Sequence, residues 1–180
     1  MTKVPFVHSN YPRRADDNYQ TIDPRCTDSL LEYIHPGGRC VDICAPDGSG
    51  IAERLQELGF PAVLLPDAFA QWDYHDKDWI VTNPPYERPI VDTIIRHAVE
   101  LVEDGYIAGA AFLLRTSFDH AKNRAALFAA PGYHGQIKLR YRPWWSEERK
   151  AQPIHNYVWH LWMKDRLYLA PPIVLYSNGE

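Results

Sequence analysis

Residues 78–86 read Asp78-Trp79-Ile80-Val81-Thr82-Asn83-Pro84-Pro85-Tyr86, and this segment decides how the chain is interpreted. Residues 79–82 are apolar or β-branched and suit a buried strand. Two prolines in succession then remove ladder donors and exclude a helix, so the chain must leave the sheet directly after Asn83. The strand thus delivers a carboxamide, two rigid rings and a phenol to one turn. A carboxamide presents a donor and an acceptor side by side, and Tyr86 offers a face for stacking on a flat molecule. A turn needed only for tightness rarely has this composition.

Working outward, strands and helices alternate. Upstream, residues 27–35 place Leu30, Leu31 and Ile34 at helical spacing and stop at Pro36-Gly37-Gly38. Residues 39–44 read as a short buried strand, 45–50 as a turn-rich loop, then a helix to Leu58 capped by Gly59, and 62–65 as a second strand. Downstream, an amphipathic helix is predicted from about 89 to 103, with Ile90, Ile94, Ala98 and Leu101 on one stripe. Residues 107–114 are apolar throughout, 118–129 read as helical, and 135–141, 156–163 and 173–176 are the last strand candidates. This pattern predicts an α/β sheet with helices on both faces, in one domain over residues 1–180 with a polar arm at 1–17.

Composition agrees with a single globular domain: 180 residues, 46% apolar and 23% charged. No apolar run reaches the roughly 18 residues of a membrane span, and residues 1–14 lack the apolar stretch of a secretory signal. Cys26, Cys40 and Cys44 have no Cys-x-x-Cys spacing, and the eight histidines are scattered, so no disulfide framework and no metal site are expected. A reducing cytoplasm, bacterial or that of a phage-infected host, is the expected compartment. The net charge of −4 is uneven: residues 1–114 carry −9 and residues 115–150 carry +5.

Ligands of open parallel sheets bind beyond the carboxyl ends of the strands. Four loops fall there: 45–50, 66–76, 83–88 and 115–118. The first follows Asp42 and holds Gly48 and Gly50, which permit close approach of backbone to ligand; an ordinary turn has the same composition. It lacks the Lys-Ser/Thr pair of a P-loop. Asp67 ends the second strand where an acidic group receives the ribose hydroxyls of a nucleoside-type cofactor. Trp144 and Trp145 share a polar loop with Arg140, Arg142, Arg149 and Lys150, a composition suited to stacked nucleic acid or to packing on the domain's own edge.

Asn83-Pro84-Pro85-Tyr86 resembles the catalytic motif of S-adenosylmethionine-dependent amino-group methyltransferases, the adenine-N6 and cytosine-N4 DNA enzymes above all. Residues 42–48 resemble the cofactor loop of that family, with Pro46 where the first glycine usually stands. Asn18-Tyr19-Gln20-Thr21 resembles the segment that closes over the methionine end of the cofactor. The likeness is greatest to small phage-type DNA methyltransferase-like proteins, which share a Leu-Leu-Arg-x-x-Phe strand end, here 113–118, and a late strand with Tyr157, Trp159 and Trp162. It implies a Rossmann-like class I methyltransferase: a mostly parallel seven-stranded sheet with an antiparallel C-terminal hairpin and helices on both faces.

The same resemblance implies the site. Asn83, Pro84, Pro85 and Tyr86 would be catalytic, with the Asn83 side chain and the Pro84 carbonyl accepting hydrogen bonds from the target amine. Tyr19, Thr21, Asp42, Cys44, Ala45, Gly48, Asp67, Asp73 and Asn83 would hold S-adenosylmethionine and its product S-adenosylhomocysteine, without a metal. Tyr86, Arg115, Phe118, Arg142, Trp144 and Trp145 would meet the substrate, with 141–155 as a minimal contact region for DNA. Glutamine-N5 protein methyltransferases and RNA amino-group enzymes use related loops, and a non-catalytic nucleic-acid binder of the same fold is a further reading that Pro46 motivates. Target sequence and oligomeric state are not legible.

Overall fold

The computed structural model describes residues 21–45, 48–70, 72–145, 155–164 and 172–179. Its centre is a seven-stranded sheet in the order β2-β1-β3-β4-β6-β5-β7. The strands are β1 (Cys40–Asp42), β2 (Ala62–Leu64), β3 (Trp79–Thr82), β4 (Gly109–Arg115), β5 (Tyr133–Leu139), β6 (Tyr157–Met163) and β7 (Ile173–Ser177). Only β6 runs against its neighbours, pairing antiparallel with β4 and β5; every other pairing among them is parallel. The predicted architecture is therefore the observed one. β7 adds to the hairpin side as a parallel edge strand, with Lys138 opposite Tyr176.

The central strands form because their residues are covered on both faces, while the edge strands β2 and β7 are partly exposed. In β4, Ala110, Phe112 and Leu114 face one core while Ala111 and Leu113 face the other, all with no exposed surface. Helix α3 (Ile90–Glu103) lays Val91, Ile94, Ile95, Ala98, Val99 and Val102 on the first face. Helices α1 (Arg25–Leu31) and α2 (Gly50–Glu57) cover the second with Cys26, Leu30, Ile51 and Leu55. Trp159 and Trp162 of β6 are fully buried, one on each side, and each indole N–H donates to a backbone carbonyl, of Cys26 at 2.8 Å and of Leu127 at 3.0 Å. A buried ring with its donor satisfied contributes area without an unpaired polar group.

Two segments differ from expectation. Residues 118–129 form two 3-10 turns, Phe118–His120 and Lys122–Arg124, before a short helix α4 (Ala125–Ala129). Ala121 is extended (φ −78°, ψ 122°), which breaks the helix. The Arg124 side chain turns inward to Asp92 of α3 at 2.6 Å and to the Phe118 carbonyl at 3.0 Å, a tertiary arrangement that helical periodicity cannot reveal. Between β2 and β3, Ala68 and Phe69, with Trp72 and Tyr74, cover the sheet directly. That crossover is pinned by Arg39, whose guanidinium binds the buried Asp78 carboxylate at 2.6 and 3.1 Å and the Asp73 carbonyl at 2.8 Å.

Candidate active site

The Asp42 carboxylate, fully enclosed at the end of β1, joins two loops. Its Oδ2 accepts from the Ser49 hydroxyl at 2.6 Å, and its Oδ1 accepts from the Thr82 hydroxyl at 2.6 Å and the Cys44 amide at 3.1 Å. Burial pushes this carboxyl above the usual range, while the three donors act in the opposite direction. Ser49 is also the N-cap of α2, its oxygen accepting from the Ala52 amide at 3.1 Å. Thr82 immediately precedes Asn83. One carboxylate thus fixes the glycine loop against the root of the Asn-Pro-Pro-Tyr turn.

At that turn the Tyr86 hydroxyl donates to Asn83 Oδ1 at 2.7 Å and also lies 3.2 Å from the Leu113 carbonyl. The half-buried Tyr86 ring sits between the Arg115 guanidinium, 5.2 Å from its centroid, and the Tyr157 ring at 6.1 Å. Burial, with Tyr157 beside it, pushes the phenol well above its ordinary range although Arg115 opposes this, so it stays protonated and remains a donor. Tyr157 in turn packs edge-on against Trp145 at 4.8 Å. Among the described residues the buried Arg115 Nε has no hydrogen-bond partner and no carboxylate pairs with this side chain.

On the glycine-loop side, Gly48 has φ +112°, a conformation open to glycine alone, and the Ala45 amide donates to the Leu65 carbonyl at 3.2 Å. A Cβ on Gly50 would collide with the Thr21 carbonyl, so the segment before α1 crosses directly over the start of α2. The Thr21 hydroxyl there is buried with no partner among the described residues. Asp67 follows β2, one oxygen accepting from the Phe69 amide at 2.9 Å.

The structure therefore brings Thr21, Asp42, Cys44, Ala45, Gly48, Asn83, Pro84, Pro85, Tyr86 and Arg115 to the loops at one end of the sheet, with Trp145 joined to them through Tyr157. Asp73 is not with them: it is exposed beside the Arg39–Asp78 pair, where β1 and β3 begin, at the opposite end of the strands from Asn83. Phe118 is also corrected, being a core residue, 6% exposed, with the Arg124 guanidinium 3.6 Å from its centroid and Phe128 edge-on. Arg142 bonds Asn156 Oδ1 at 3.2 Å, and the Trp144 amide donates to Asp23 at 3.2 Å. Tyr19, Pro46 and Asp47 lie outside the described residues. Ser49 and Thr82 were not singled out from sequence. A serine before a helix signals a cap, but nothing local ties Thr82 to a carboxylate forty positions away.

Among the described residues no cluster of His, Cys, Asp or Glu could hold a metal ion, and no helix is long and apolar enough to cross a membrane. The chain matches no protein-family model and no curated protein. Among solved structures it is similar to a Listeria monocytogenes protein described as a class I S-adenosylmethionine-dependent methyltransferase. The TM-score is 0.53 at 14% identity, over 93% of this chain and 68% of the other. A Pyrococcus horikoshii protein described as an RNA methyltransferase has a TM-score of 0.47 at 10% identity, over 78% of this chain and 81% of the other. The strand order and the likeness to the Listeria monocytogenes structure show a Rossmann-like fold of the class I methyltransferase type.

Proposed function

We propose that the chain is an S-adenosylmethionine-dependent methyltransferase acting on the exocyclic amino group of a nucleic-acid base, adenine N6 in DNA. The observation that carries this reading is the Asp42 carboxylate holding the glycine loop and the Asn83 turn together at one end of the sheet. The residues fit the cofactor: the Thr21 segment, whose hydroxyl has no partner among the described residues, crosses Gly50, two residues past the glycine-permitted backbone at Gly48, and Asp67 stands past the end of the adjoining strand. Thr21, Cys44, Ala45, Gly48 and Asp67 would hold it. S-adenosylmethionine, when bound, supplies an electrophilic methyl group on a sulfonium.

An amine conjugated to a heteroaromatic ring is a weak nucleophile because its lone pair is delocalised. Asn83 Oδ1 and the Pro84 carbonyl are the acceptors that draw the two amino protons and leave the nitrogen lone pair to one side. Asn83 Oδ1 is occupied by the Tyr86 phenol, so the entering base exchanges one hydrogen bond for another and costs no unpaired buried oxygen. The Tyr86 ring then supplies the stacking face, and a base held in duplex must leave its stack to reach it. Positioning and electrostatics supply the catalysis.

Asn83→Ala is expected to lower methyl transfer to DNA roughly 100-fold or more, with a far smaller loss of cofactor affinity measured by calorimetry. Mass spectrometry of nucleosides from treated DNA should show N6-methyladenine. Labelled methyl groups entering only a glutamine-bearing protein, or only RNA, would overturn the DNA assignment. Absence of cofactor binding would overturn the enzyme reading.

A further inference from the structure

Beyond the Asn83 turn, at the same end of the sheet, a cleft of about 650 Å³ opens where β5 ends and β6 begins. That size falls within the roughly 300–1,000 Å³ of small-ligand sites. Lys138, Arg140 and Arg142 line it together with Tyr141, Trp144 and Tyr176, the Tyr141 ring carrying the Arg25 guanidinium 4.4 Å from its centroid. No acidic side chain is among its described lining residues. Of the nearby carboxylates, Asp23 pairs with Arg25 at 2.7 Å and accepts from the Trp144 amide at 3.2 Å, and Glu32 accepts from the Ser177 hydroxyl at 2.6 Å.

The pleat explains why the cations gather. Ile137 and Leu139 point into the core, so Lys138 and Arg140, alternating with them, point to the other side of β5. Tyr176 of β7 stands opposite Lys138, with the Arg140 guanidinium 4.6 Å from its ring centroid. Clustered cations with aromatic faces are the chemistry that receives phosphate and an unstacked base together. In a duplex those base faces are covered by their neighbours.

The cleft adjoins the site. Thr116, on its wall, follows Arg115, whose guanidinium lies over Tyr86. From β3 to β5 the sheet order counts three strand spacings, about 14 Å at roughly 4.8 Å each. An occupant is therefore a neighbour of the reacting base and not that base itself. We infer that the cleft seats an unpaired nucleotide flanking the target, so that the substrate is single-stranded or locally opened DNA. This inference rests on the proposed activity toward a nucleic-acid base.

The test is fluorescence anisotropy of the full chain with a labelled single-stranded DNA dodecamer, its duplex, and single-stranded RNA of the same sequence. Wild-type protein, Lys138→Gln/Arg140→Gln and Tyr176→Ala are compared, with S-adenosylhomocysteine calorimetry and the urea midpoint as folding controls. The double variant is expected to bind the DNA strand roughly tenfold or more weakly, with a salt slope smaller by about 1.4. Tyr176→Ala should lose roughly fivefold or more, and both should keep wild-type cofactor affinity. Equal affinity of variants and wild type, or preference of the wild type for duplex, overturns the cleft; a more than tenfold preference for RNA overturns DNA as its occupant. Methyl transfer to DNA that both variants retain in full removes the cleft and spares the proposed activity. Strand binding that both variants lose, in a protein that transfers no methyl group, supports the cleft and removes that activity.

Discussion

His160 lies fully buried in β6, its Nδ1 3.0 Å from the Tyr133 hydroxyl and its Nε2 without a hydrogen-bond partner among the described residues. Burial, and secondarily the charge of Lys138, pushes its pKa down to about 3. An unfolded histidine titrates near 6.5, so between about pH 3 and 6.5 the unfolded chain binds the extra proton. The stability contributed by neutral His160 is complete above about pH 6.5 and is lost as pH falls toward 3, at up to about 1.4 kcal/mol per pH unit. Urea midpoints should therefore drop from pH 7 to pH 5 in the wild type and drop less in His160→Phe. A residual slope is expected from His97, which burial also lowers. Equal slopes in the two proteins would falsify this assignment. At this scale the sequence revealed chemistry but not geometry. Asn83 and Tyr86 were legible because their side-chain identities sit in one turn, whereas Phe118, three residues past Arg115, faces the core through contacts with Arg124 and Phe128.

Helix α2 is fixed at its N-terminal end by two contacts. Ser49 caps it and binds Asp42, while Gly50 admits the Thr21 carbonyl against its first turn. Gly50→Ala keeps helix propensity but forces the Thr21 segment away, an overpacking expected to cost about 1–3 kcal/mol. Cofactor affinity should fall with it, because the Thr21 hydroxyl moves with the segment. Unchanged urea stability and calorimetry in this variant would show that the close approach is not needed. Seven strands and helices α1 to α3 were predictable, because apolar periodicity and Pro/Gly punctuation record burial directly. The stretch 118–129 was not, since its helical spacing is interrupted at Ala121 and stabilised through Arg124 to α3.

Across the whole molecule, β7 brings the end of the described chain back to its beginning. The buried Ser177 hydroxyl lies 2.7 Å from Ser29 Oγ and 2.6 Å from Glu32 Oε1, and accepts from the Gly179 amide at 3.1 Å. Ser177→Val takes this partner from Glu32 Oε1 and the Gly179 amide, while Ser29 keeps the Tyr141 hydroxyl at 2.9 Å, and at a site 1% exposed it is expected to lower stability by about 1–3 kcal/mol in urea unfolding. An unchanged midpoint would mean that water replaces the contact. The uneven charge of the sequence also gains a location here. Lys138, Arg140 and Arg142, from the +5 stretch, line one cleft, while Arg124 from the same stretch is buried with Asp92 and contributes no surface charge. The sequence by itself determined the alternation of strands and helices and the identity of the Asn83-Pro84-Pro85-Tyr86 turn, because burial periodicity and backbone restriction act over a few residues. Only the tertiary structure decided that Asp42 joins Ser49 to Thr82, that Tyr86 occupies Asn83, and that β7 lies beside β5. The Asp42–Thr82 contact and the β5–β7 pairing join residues distant in sequence, whose spacing the assembled sheet sets, while the phenol reaches the carboxamide within one turn through the path the backbone takes there.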